Sequence, residues 1–258
     1  MLLPYDEAGS GPAVVLLHAR PADRSMWRDH LPRLAAAGYR AIALDLPGYG
    51  EAVLPDGHGA EPAQDVLSTL DQLGAGRFSL VGNSLGALVA LQTAATAPER
   101  VEGLVLIGYR PHDQPATEGL DLAWHRERTA LAARDLEGAV RVAVETWLGP
   151  KASPEIRTHA ARMQRGNLLL RQAHGEPPRA TDPDLAGLRP LASRTLVAVG
   201  EHDLPDFSTG GRALADAIGA SGPVVAPSAA HLVPLEQPKW LCVLLQGFLT
   251  QPAGQTAA

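Results

Sequence analysis

The chain has 258 residues, a length that suits one large domain or one domain carrying an inserted segment. Its 22 basic and 28 acidic residues give a formal net charge of −6, which argues against the basic face of a nucleic-acid-binding protein. Hydrophobic residues make up 45% and charged residues 19%, a balance that excludes a disordered chain. The single cysteine, Cys242, excludes an internal disulfide and a cysteine-based zinc site, and we expect it to be buried in the last helix.

We expect no targeting signal at the start of the chain. It contains neither the basic segment nor the long apolar stretch of a secretory signal peptide. The longest apolar runs, such as Ala13–Leu17, are far shorter than the roughly 20 residues that a membrane-spanning helix needs. We therefore expect a cytoplasmic protein with no membrane partner.

The first hundred residues alternate short apolar runs with segments of helical length. Four runs are typical of strands buried on both faces of a parallel sheet: Ala13–Leu17, Ala41–Leu44, Phe78–Val81 and Val101–Ile107. The segments between them predict helices at Met26–Ala37, Ala60–Leu73 and Leu85–Ala97. This alternation predicts a doubly wound, mostly parallel α/β sheet with right-handed crossovers.

The alternation stops after Ile107. Residues 111–190 show no strand run but three helical patterns, at Leu120–Arg134, Glu137–Leu148 and Ser153–Ala173. They predict a helical insertion in a core made of residues 1–110 and 191–258. The core pattern then resumes with a strand, a helix, a last strand and a closing helix, at Thr195–Val199, Pro205–Ile218, Val224–Ala226 and Pro238–Thr250. The polar tail, 251–258, is expected to fray.

The strongest chemical signal is Gly82-Asn83-Ser84-Leu85-Gly86, which joins a predicted strand to a predicted helix. This strand–turn–helix setting is that of a nucleophile elbow, in which a strained turn exposes a serine hydroxyl and needs glycine two positions away on each side. A plain glycine-rich turn is the alternative. A serine needs a base, and the base needs an orienting acid. Asp203 and His231 both follow predicted strands, at the rim where open α/β sheets bind ligands.

The sequence resembles the α/β-hydrolase superfamily over nearly its whole length. The resemblance rests on the elbow, on the order Ser84, Asp203, His231, and on three further stretches: Leu16–Pro21, Asp45–Gly50 and His231–Pro238. It implies a hydrolase core with an inserted helical cap. Many relatives have a first edge strand, which we expect to be missing here.

The resemblance also implies an oxyanion hole. Relatives usually show His-Gly where the chain has His18-Ala19, and the next residue, Arg20, would supply the first backbone N–H. Leu85 would supply the second. Only the N–H of Arg20 is needed there. Its guanidinium is expected either to turn to solvent or pair with an acid such as Asp23, or to bind a carboxylate or other polar group of the substrate.

The identity of the nucleophile narrows the chemistry. Haloalkane dehalogenases and epoxide hydrolases of this fold resemble the chain but use aspartate at the elbow. Serine favours acyl transfer, and the insertion resembles the caps of small-molecule esterases and lactonases. We predict a serine hydrolase that cleaves a small carboxylic ester or lactone through an acyl-enzyme, without a cofactor. Carbon–carbon bond hydrolysis, cofactor-free perhydrolysis and a ligand-binding protein with little turnover stay open, as does a homodimer.

Several other residues are weaker candidates. Asp206 is an alternative acid, although its position near a helix start favours a capping role. His18 is expected to make structural hydrogen bonds, and the remaining histidines show no ligand spacing, so we predict no metal site. Trp124 and Leu232 are candidate walls of the substrate pocket; Trp147 is another.

Overall fold

The computed structural model describes residues 1–55, 61–177 and 180–250. Its strands are β1 Tyr5–Ala8, β2 Ala13–Leu17, β3 Arg40–Leu44, β4 Phe78–Asn83, β5 Val101–Ile107, β6 Thr195–Gly200 and β7 Val224–Ala226. They form one sheet in the order β1-β3-β2-β4-β5-β6-β7. All neighbours pair in parallel except β1, which pairs antiparallel to β3. The predicted doubly wound, mostly parallel α/β sheet is confirmed.

The central strands are buried on both faces, as their apolar runs predict. Every residue of β2 and β4 is buried. Because helices cover both faces, the carboxyl ends of the strands are the part of the sheet that stays open to a ligand. The loops after β2, β4 and β5 meet at one edge, since these strands are close neighbours in the sheet.

The edge strand β1 was not predicted from the sequence, and the expected absence of the first edge strand of many relatives stays a prediction. The strand β1 pairs with β3 from Tyr5, opposite Leu44, to Ala8, opposite Ala41. Three of its four residues are exposed, so the strand has no apolar run to reveal it. Its pairing partner lies more than 30 residues away in the chain, where a local pattern cannot find it.

The helices are α1 Leu31–Ala36, α2 Pro62–Gln72, α3 Leu85–Thr96, α4 Glu118–Ala132, α5 Leu136–Trp147, α6 Pro154–His174, α7 Pro205–Ile218, α8 Val233–Glu236 and α9 Pro238–Leu249. The predicted helix Met26–Ala37 is wrong in its first half, because a 3-10 turn, Arg24–Trp27, precedes α1. Pro32 sits in the first turn of α1 and favours a helix start there. Cys242 is buried in α9, and burial raises the pKa of its thiol.

Three helices, α4 to α6, occupy the chain between β5 and β6; we call them the helical segment. Each begins at a side-chain cap, provided by Thr117, Asp135 and Ser153. The chain then returns through a 3-10 stretch, Leu185–Arg194, in which Leu188 is fully buried in the same apolar cluster as the sheet. The division into a core and an insertion of residues 111–190 stays a prediction.

Some predictions fall outside the described residues: the first residue of the helix Ala60–Leu73, the role of His58, and the tail at 251–258. Within 1–55, 61–177 and 180–250, no helix is both long enough and apolar enough to cross a membrane.

Candidate active site

Ser84 lies at the sharp turn between β4 and α3. Its backbone angles are φ 56° and ψ −111°, a region that residues with a side chain rarely adopt. Its N–H donates a hydrogen bond of 2.8 Å to the carbonyl of Ile107, which ties the turn to the end of β5. The residue is partly exposed. The turn therefore carries the hydroxyl at the open, carboxyl edge of the sheet, as a nucleophile elbow does.

Close backbone contacts explain the glycines on either side of Ser84. A Cβ atom at Gly82 would lie 2.2 Å from the carbonyl oxygen of Gly86. A Cβ atom at Gly86 would lie 2.1 Å from the carbonyl oxygen of Leu17. Both distances are far inside van der Waals contact, so the turn cannot form around larger residues.

Asp203 and His231 come together beyond the ends of β6 and β7. Nδ1 of His231 lies 2.9 Å from Oδ2 of Asp203, and both side chains are 2% exposed. The second oxygen of Asp203 accepts a hydrogen bond of 2.8 Å from the N–H of Leu204, which fixes the orientation of the carboxylate. With Nδ1–H bound to a carboxylate, Nε2 is the basic nitrogen of the ring.

Two aromatic rings and one amide hold His231 in position. The rings of Trp147 and Phe207 have their centroids 4.8 Å and 4.1 Å from that of the imidazole. Nδ2 of Asn83 donates to the carbonyls of His231, at 3.1 Å, and Ile107, at 3.2 Å. The amide therefore links the loop of His231 to the strand beside the elbow. The sequence analysis did not predict the contacts of Asn83 or Phe207, because each joins residues far apart in the chain.

A cavity of about 670 Å³ opens at this edge of the sheet and is lined by Ser84 and His231, among others. Its size suits a small molecule. Among the described residues, Ser84 makes no direct hydrogen bond to His231. Such bonds are often long in a ligand-free active site and shorten when the substrate binds, so this geometry is compatible with a nucleophile and its base.

The two predicted oxyanion-hole residues, Arg20 and Leu85, both line the cavity. Leu85 is the first residue of α3, where a backbone N–H has no acceptor within the helix. Within the described part of the chain, neither N–H has a hydrogen-bond acceptor. Ala19 stands where relatives usually have glycine. Its φ is not positive, so the backbone tolerates its methyl group.

His18 is completely buried below this loop. Nε2 of its ring accepts a hydrogen bond of 2.9 Å from the N–H of Leu46, so the proton is on Nδ1, which donates to the carbonyl of Ala19 at 2.9 Å. Burial lowers the pKa of this histidine. Because both nitrogens are occupied, His18 joins the loops after β2 and β3 and is not free to act as a base, in agreement with the structural role predicted for it.

Two further histidines have partners other than the Asp203–His231 pair. His112 lies 3.2 Å from Asp182, and His159 lies 2.9 Å from Ser25. In the part of the chain that the structure describes, no three His, Cys, Asp or Glu side chains are grouped so that they could hold a metal ion. The prediction of a metal-free site stays a prediction.

Asp206 is not placed to act as the acid. Its carboxylate is buried and accepts hydrogen bonds from the N–H and the hydroxyl of Thr117, at 2.8 Å and 2.6 Å. Thr117 is the N-cap of α4. Asp206 therefore attaches the start of the helical segment to α7. It does not cap α7, which is the role that its position in the sequence favours.

Glu236 has a role that the sequence analysis missed. Its two carboxylate oxygens accept hydrogen bonds from the N–H groups of Gly149, at 2.7 Å, and Ala230, at 2.9 Å. Burial raises the pKa of this carboxyl. One carboxylate thus joins the loop that carries His231 to the end of α5, which carries Trp147. An acid a few residues after a histidine is too common a pattern to have revealed this.

Two of the three candidate pocket residues line the cavity, and the third does not. Trp124 lines the cavity, with the guanidinium of Arg110 over its ring at 5.5 Å. Trp147 lines it too. Leu232 does not: it is 1% exposed and belongs to an apolar cluster of the core. The expectation that Leu232 forms a pocket wall is wrong, because its side chain is buried in the core.

The guanidinium of Arg20 also faces the cavity. Its side chain is 48% exposed, and its nearest carboxylate is that of Glu127, with Nη1 and Oε2 separated by 3.8 Å. The expected partner Asp23 instead caps the 3-10 turn by accepting from the N–H of Ser25.

The strained serine, the buried Asp–His pair and the parallel sheet define the class of protein. Residues 14–242 match the model of the Alpha/beta hydrolase family. The chain belongs to this family.

Particular relatives add detail. The chain is similar to Epoxide hydrolase 2 of Siraitia grosvenorii, at 42% identity over 101 residues, which are 38% of this chain and 32% of that protein. It is also similar to the 2-hydroxy-6-oxo-6-phenylhexa-2,4-dienoate hydrolase of Comamonas testosteroni, at 36% identity over 113 residues, 42% of this chain and 40% of that protein. The matches thus span well under half the length of these relatives.

Among solved structures, the chain is similar to a thermophilic esterase from Thermogutta terrifontis with malate bound. The TM-score is 0.77 and the identity 28%, over 96% of this chain and 92% of that one. The likeness extends through the helical segment as well as the sheet.

Proposed function

We propose that this protein is a serine hydrolase that cleaves small carboxylic esters or lactones. One observation carries the proposal: a serine on a strained elbow shares a cavity with a histidine whose Nδ1 is bound to a buried aspartate. This arrangement activates a hydroxyl for attack on a carbonyl carbon.

In the first half of the reaction, Oγ of Ser84 attacks the carbonyl carbon and His231 takes the hydroxyl proton at Nε2. The negative charge that develops on the carbonyl oxygen is stabilised by the N–H groups of Arg20 and Leu85. Asp203 holds the imidazole in the correct tautomer and stabilises the imidazolium. The tetrahedral intermediate collapses, His231 gives its proton to the departing alkoxide, and the acyl group stays on Ser84.

In the second half, water attacks the acyl-enzyme. His231 takes a proton from the water, and the hydroxide adds to the ester carbonyl in the same oxyanion hole. Collapse breaks the bond to Oγ, and the proton returns from His231 to the serine. The products are the carboxylic acid and the free enzyme, so the cycle needs water alone and no cofactor.

The nucleophile also separates this proposal from the chemistry of the similar epoxide hydrolase. Attack of a serine hydroxyl on an epoxide would form an ether, which offers no carbonyl for water to attack. Ser84 therefore favours an acyl substrate, whose covalent intermediate is an ester. Carbon–carbon bond hydrolysis is the second candidate. It is favoured by the similarity to the Comamonas hydrolase, whose name describes a dienoate substrate.

The helical segment acts in this proposal as the cap of the site. It contributes to the cavity a tryptophan from α4, Trp124, another from the end of α5, Trp147, and a glutamine from α6, Gln164. Hydrogen bonds to Asp206 and Glu236 attach it to the core, the first at Thr117 before α4 and the second at Gly149 between α5 and α6. The apolar rings suit the carbon chain of a small substrate.

The test begins with a fluorophosphonate probe, which reacts only with an activated serine, followed by intact-protein mass. We expect one adduct on the wild type and none on Ser84→Ala. Ser68→Ala, which removes a hydroxyl from α2 away from the cavity, is the matched control and should be labelled like the wild type. A panel of para-nitrophenyl esters, lactones and a vinylogous diketone, the carbon–carbon substrate type, then identifies the bond cleaved.

Absence of an adduct on folded wild type would refute the proposal. Labelling of Ser84→Ala would refute the assignment of the nucleophile. Turnover of the diketone with little ester or lactone cleavage would replace the first candidate by the second.

A further inference from the structure

The side chain of Arg20 has no role in the proposed mechanism, which uses only its backbone N–H. Yet the guanidinium lines the same cavity as Ser84 and is about half exposed. In that mechanism the N–H of Arg20 faces the reacting carbonyl. Its guanidinium is therefore no farther from the scissile bond than about the length of its own side chain. A fixed positive charge so close to the reaction centre is a candidate for substrate recognition.

The protein holds this guanidinium only weakly. Its nearest carboxylate oxygen, on Glu127, is 3.8 Å from Nη1, which is beyond hydrogen-bond distance. The other oxygen of Glu127 already accepts a hydrogen bond of 2.9 Å from Nε2 of Gln164. Arg20 also makes a hydrogen bond with the side chain of Tyr49 and interacts electrostatically with Glu176, and these groups together with Glu127 raise the pKa of its guanidinium. Among the described residues, Arg20 therefore makes no pair of parallel hydrogen bonds with a carboxylate.

Arg24, in the same loop, shows what a structural arginine looks like. It bonds to Asp45, and its Nη2 lies 2.8 Å from Glu51. Its side chain is only 17% exposed. The loop thus supplies one arginine in close ion pairs with Asp45 and Glu51, and one, Arg20, that lines the cavity with its carboxylate partner 3.8 Å away.

A second arginine adds to the positive charge at the cavity. Arg128, on α4, is exposed and lines it, and makes no ion pair within the described residues. Arg110 also lines it, but its guanidinium is bound to the carbonyl of Gln114 and stacked on Trp124. Of the described residues that line the cavity, three are arginines and two are acids, Glu127 and Glu176, and this excess of positive charge favours an anionic ligand.

We infer that Arg20 binds a carboxylate of the substrate, so that the preferred esters or lactones carry an anionic group on the part that reaches the cavity mouth. The inference rests on the proposed function and names its substrate class. The guanidinium fork matches a carboxylate in two parallel N–H···O bonds. Arg128, which also lines the cavity, adds a second positive charge. Glu127 competes for Arg20 when no substrate is bound.

The first experiment measures binding without turnover. Monomethyl adipate, which pairs a carboxylate with an ester, is titrated by calorimetry into Ser84→Ala and into Ser84→Ala with Arg20→Ala. We expect about tenfold to a hundredfold weaker binding without the guanidinium, the range of a charge-assisted hydrogen bond. Equal affinities, or no binding to either protein, would overturn the inference.

The second experiment measures turnover of mono-para-nitrophenyl adipate and of the neutral para-nitrophenyl heptanoate. The reported quantity is the ratio of their kcat/KM values, because any disturbance of the oxyanion loop affects both esters. Arg20→Ala should lower this ratio about tenfold to a hundredfold, and Arg20→Lys should lower it less. Glu127→Gln should raise it, because the amide keeps the bond to Gln164 and no longer competes for Arg20.

The outcomes distinguish the two proposals. If the wild type cleaves both esters and Arg20→Ala leaves the ratio unchanged, the anion site is wrong and the hydrolase stands. If Arg20 controls adipate binding but neither ester is cleaved, the anion site stands and the ester-hydrolysing function is wrong. If Arg20→Ala does not fold, the effect of Glu127→Gln on the ratio of the two kcat/KM values decides. A lower or unchanged ratio contradicts the inference.

Discussion

Replacing Glu236 by glutamine tests whether one carboxylate holds the catalytic histidine loop and the end of α5 together. The side chain accepts hydrogen bonds from two backbone N–H groups, those of Gly149 and Ala230. Glutamine keeps one acceptor oxygen but presents an NH₂ group to the other N–H. One buried donor then loses its partner.

The size of the effect follows from this geometry. A buried donor without a partner costs about 1–3 kcal/mol of the free energy of unfolding. Burial raises the pKa of Glu236, so the ionised carboxylate carries a desolvation cost that glutamine does not. We therefore expect Glu236→Gln to lower the free energy of unfolding by about 1–2 kcal/mol, and Glu236→Ala, which leaves both donors unpaired, by about 2–5 kcal/mol.

The activity should fall by more than the loss of stability explains. Ala230 directly precedes the catalytic His231, and Gly149 comes shortly after Trp147, whose ring contacts His231. Urea unfolding and kcat for a para-nitrophenyl ester, measured where the variant is fully folded, separate the two effects. Glu201→Gln is the matched control: it also removes a carboxylate acceptor from a backbone N–H, that of Ser228, but at an exposed site. If Glu236→Gln is no less stable than Glu201→Gln and has the same kcat, the positioning argument is wrong.

Three further predictions concern the elbow, the acid and the response to pH. Gly86→Ala should prevent labelling by the fluorophosphonate probe and lower the melting temperature in a thermal scan, since its Cβ would lie 2.1 Å from a carbonyl oxygen; full labelling would contradict the steric argument. Asp203→Asn should lower kcat about a thousandfold to ten-thousandfold. Asp206→Asn should mainly lower the free energy of unfolding, with a much smaller effect on kcat than Asp203→Asn. A larger loss of kcat in Asp206→Asn than in Asp203→Asn would exchange their roles. Burial lowers the pKa of His30 from 6.5 to about 4 in the folded protein. As the pH falls from about 6.5 towards 4, the unfolded chain binds a proton that the folded protein does not, so the free energy of unfolding decreases. Urea unfolding should show that His30→Gln loses about 2 kcal/mol less than the wild type between pH 8 and pH 5, and equal losses would exclude His30 as the cause.

Local patterns in the sequence were enough to predict the strands β2 to β7 and the residues at the carboxyl edge of the sheet. The strands buried on both faces leave uninterrupted apolar runs, and the elbow leaves two glycines at fixed distances from Ser84. The positions of Asp203 and His231 follow from the strands that precede them. Each of these signals lies within about ten residues of the feature it predicts.

What the sequence did not reveal depends on contacts across the fold. The strand β1 is mostly exposed and is defined by its pairing with β3. Glu236 and Asn83 act through backbone groups, which any residue possesses. Leu232 was predicted as a pocket wall from its place next to His231, but neighbours in a loop point in different directions, and its side chain joined the core.

The backbone of Ser84 has a consequence for how this protein changes over generations. The angles φ 56° and ψ −111° cost a residue with a Cβ atom about 1–3 kcal/mol, a cost from which glycine is exempt. Ser84→Gly would therefore keep the fold, gain stability and lose the hydroxyl. Selection for a durable fold alone would favour glycine at position 84. The serine found there marks a trade-off in which stability is given up to retain a reactive group.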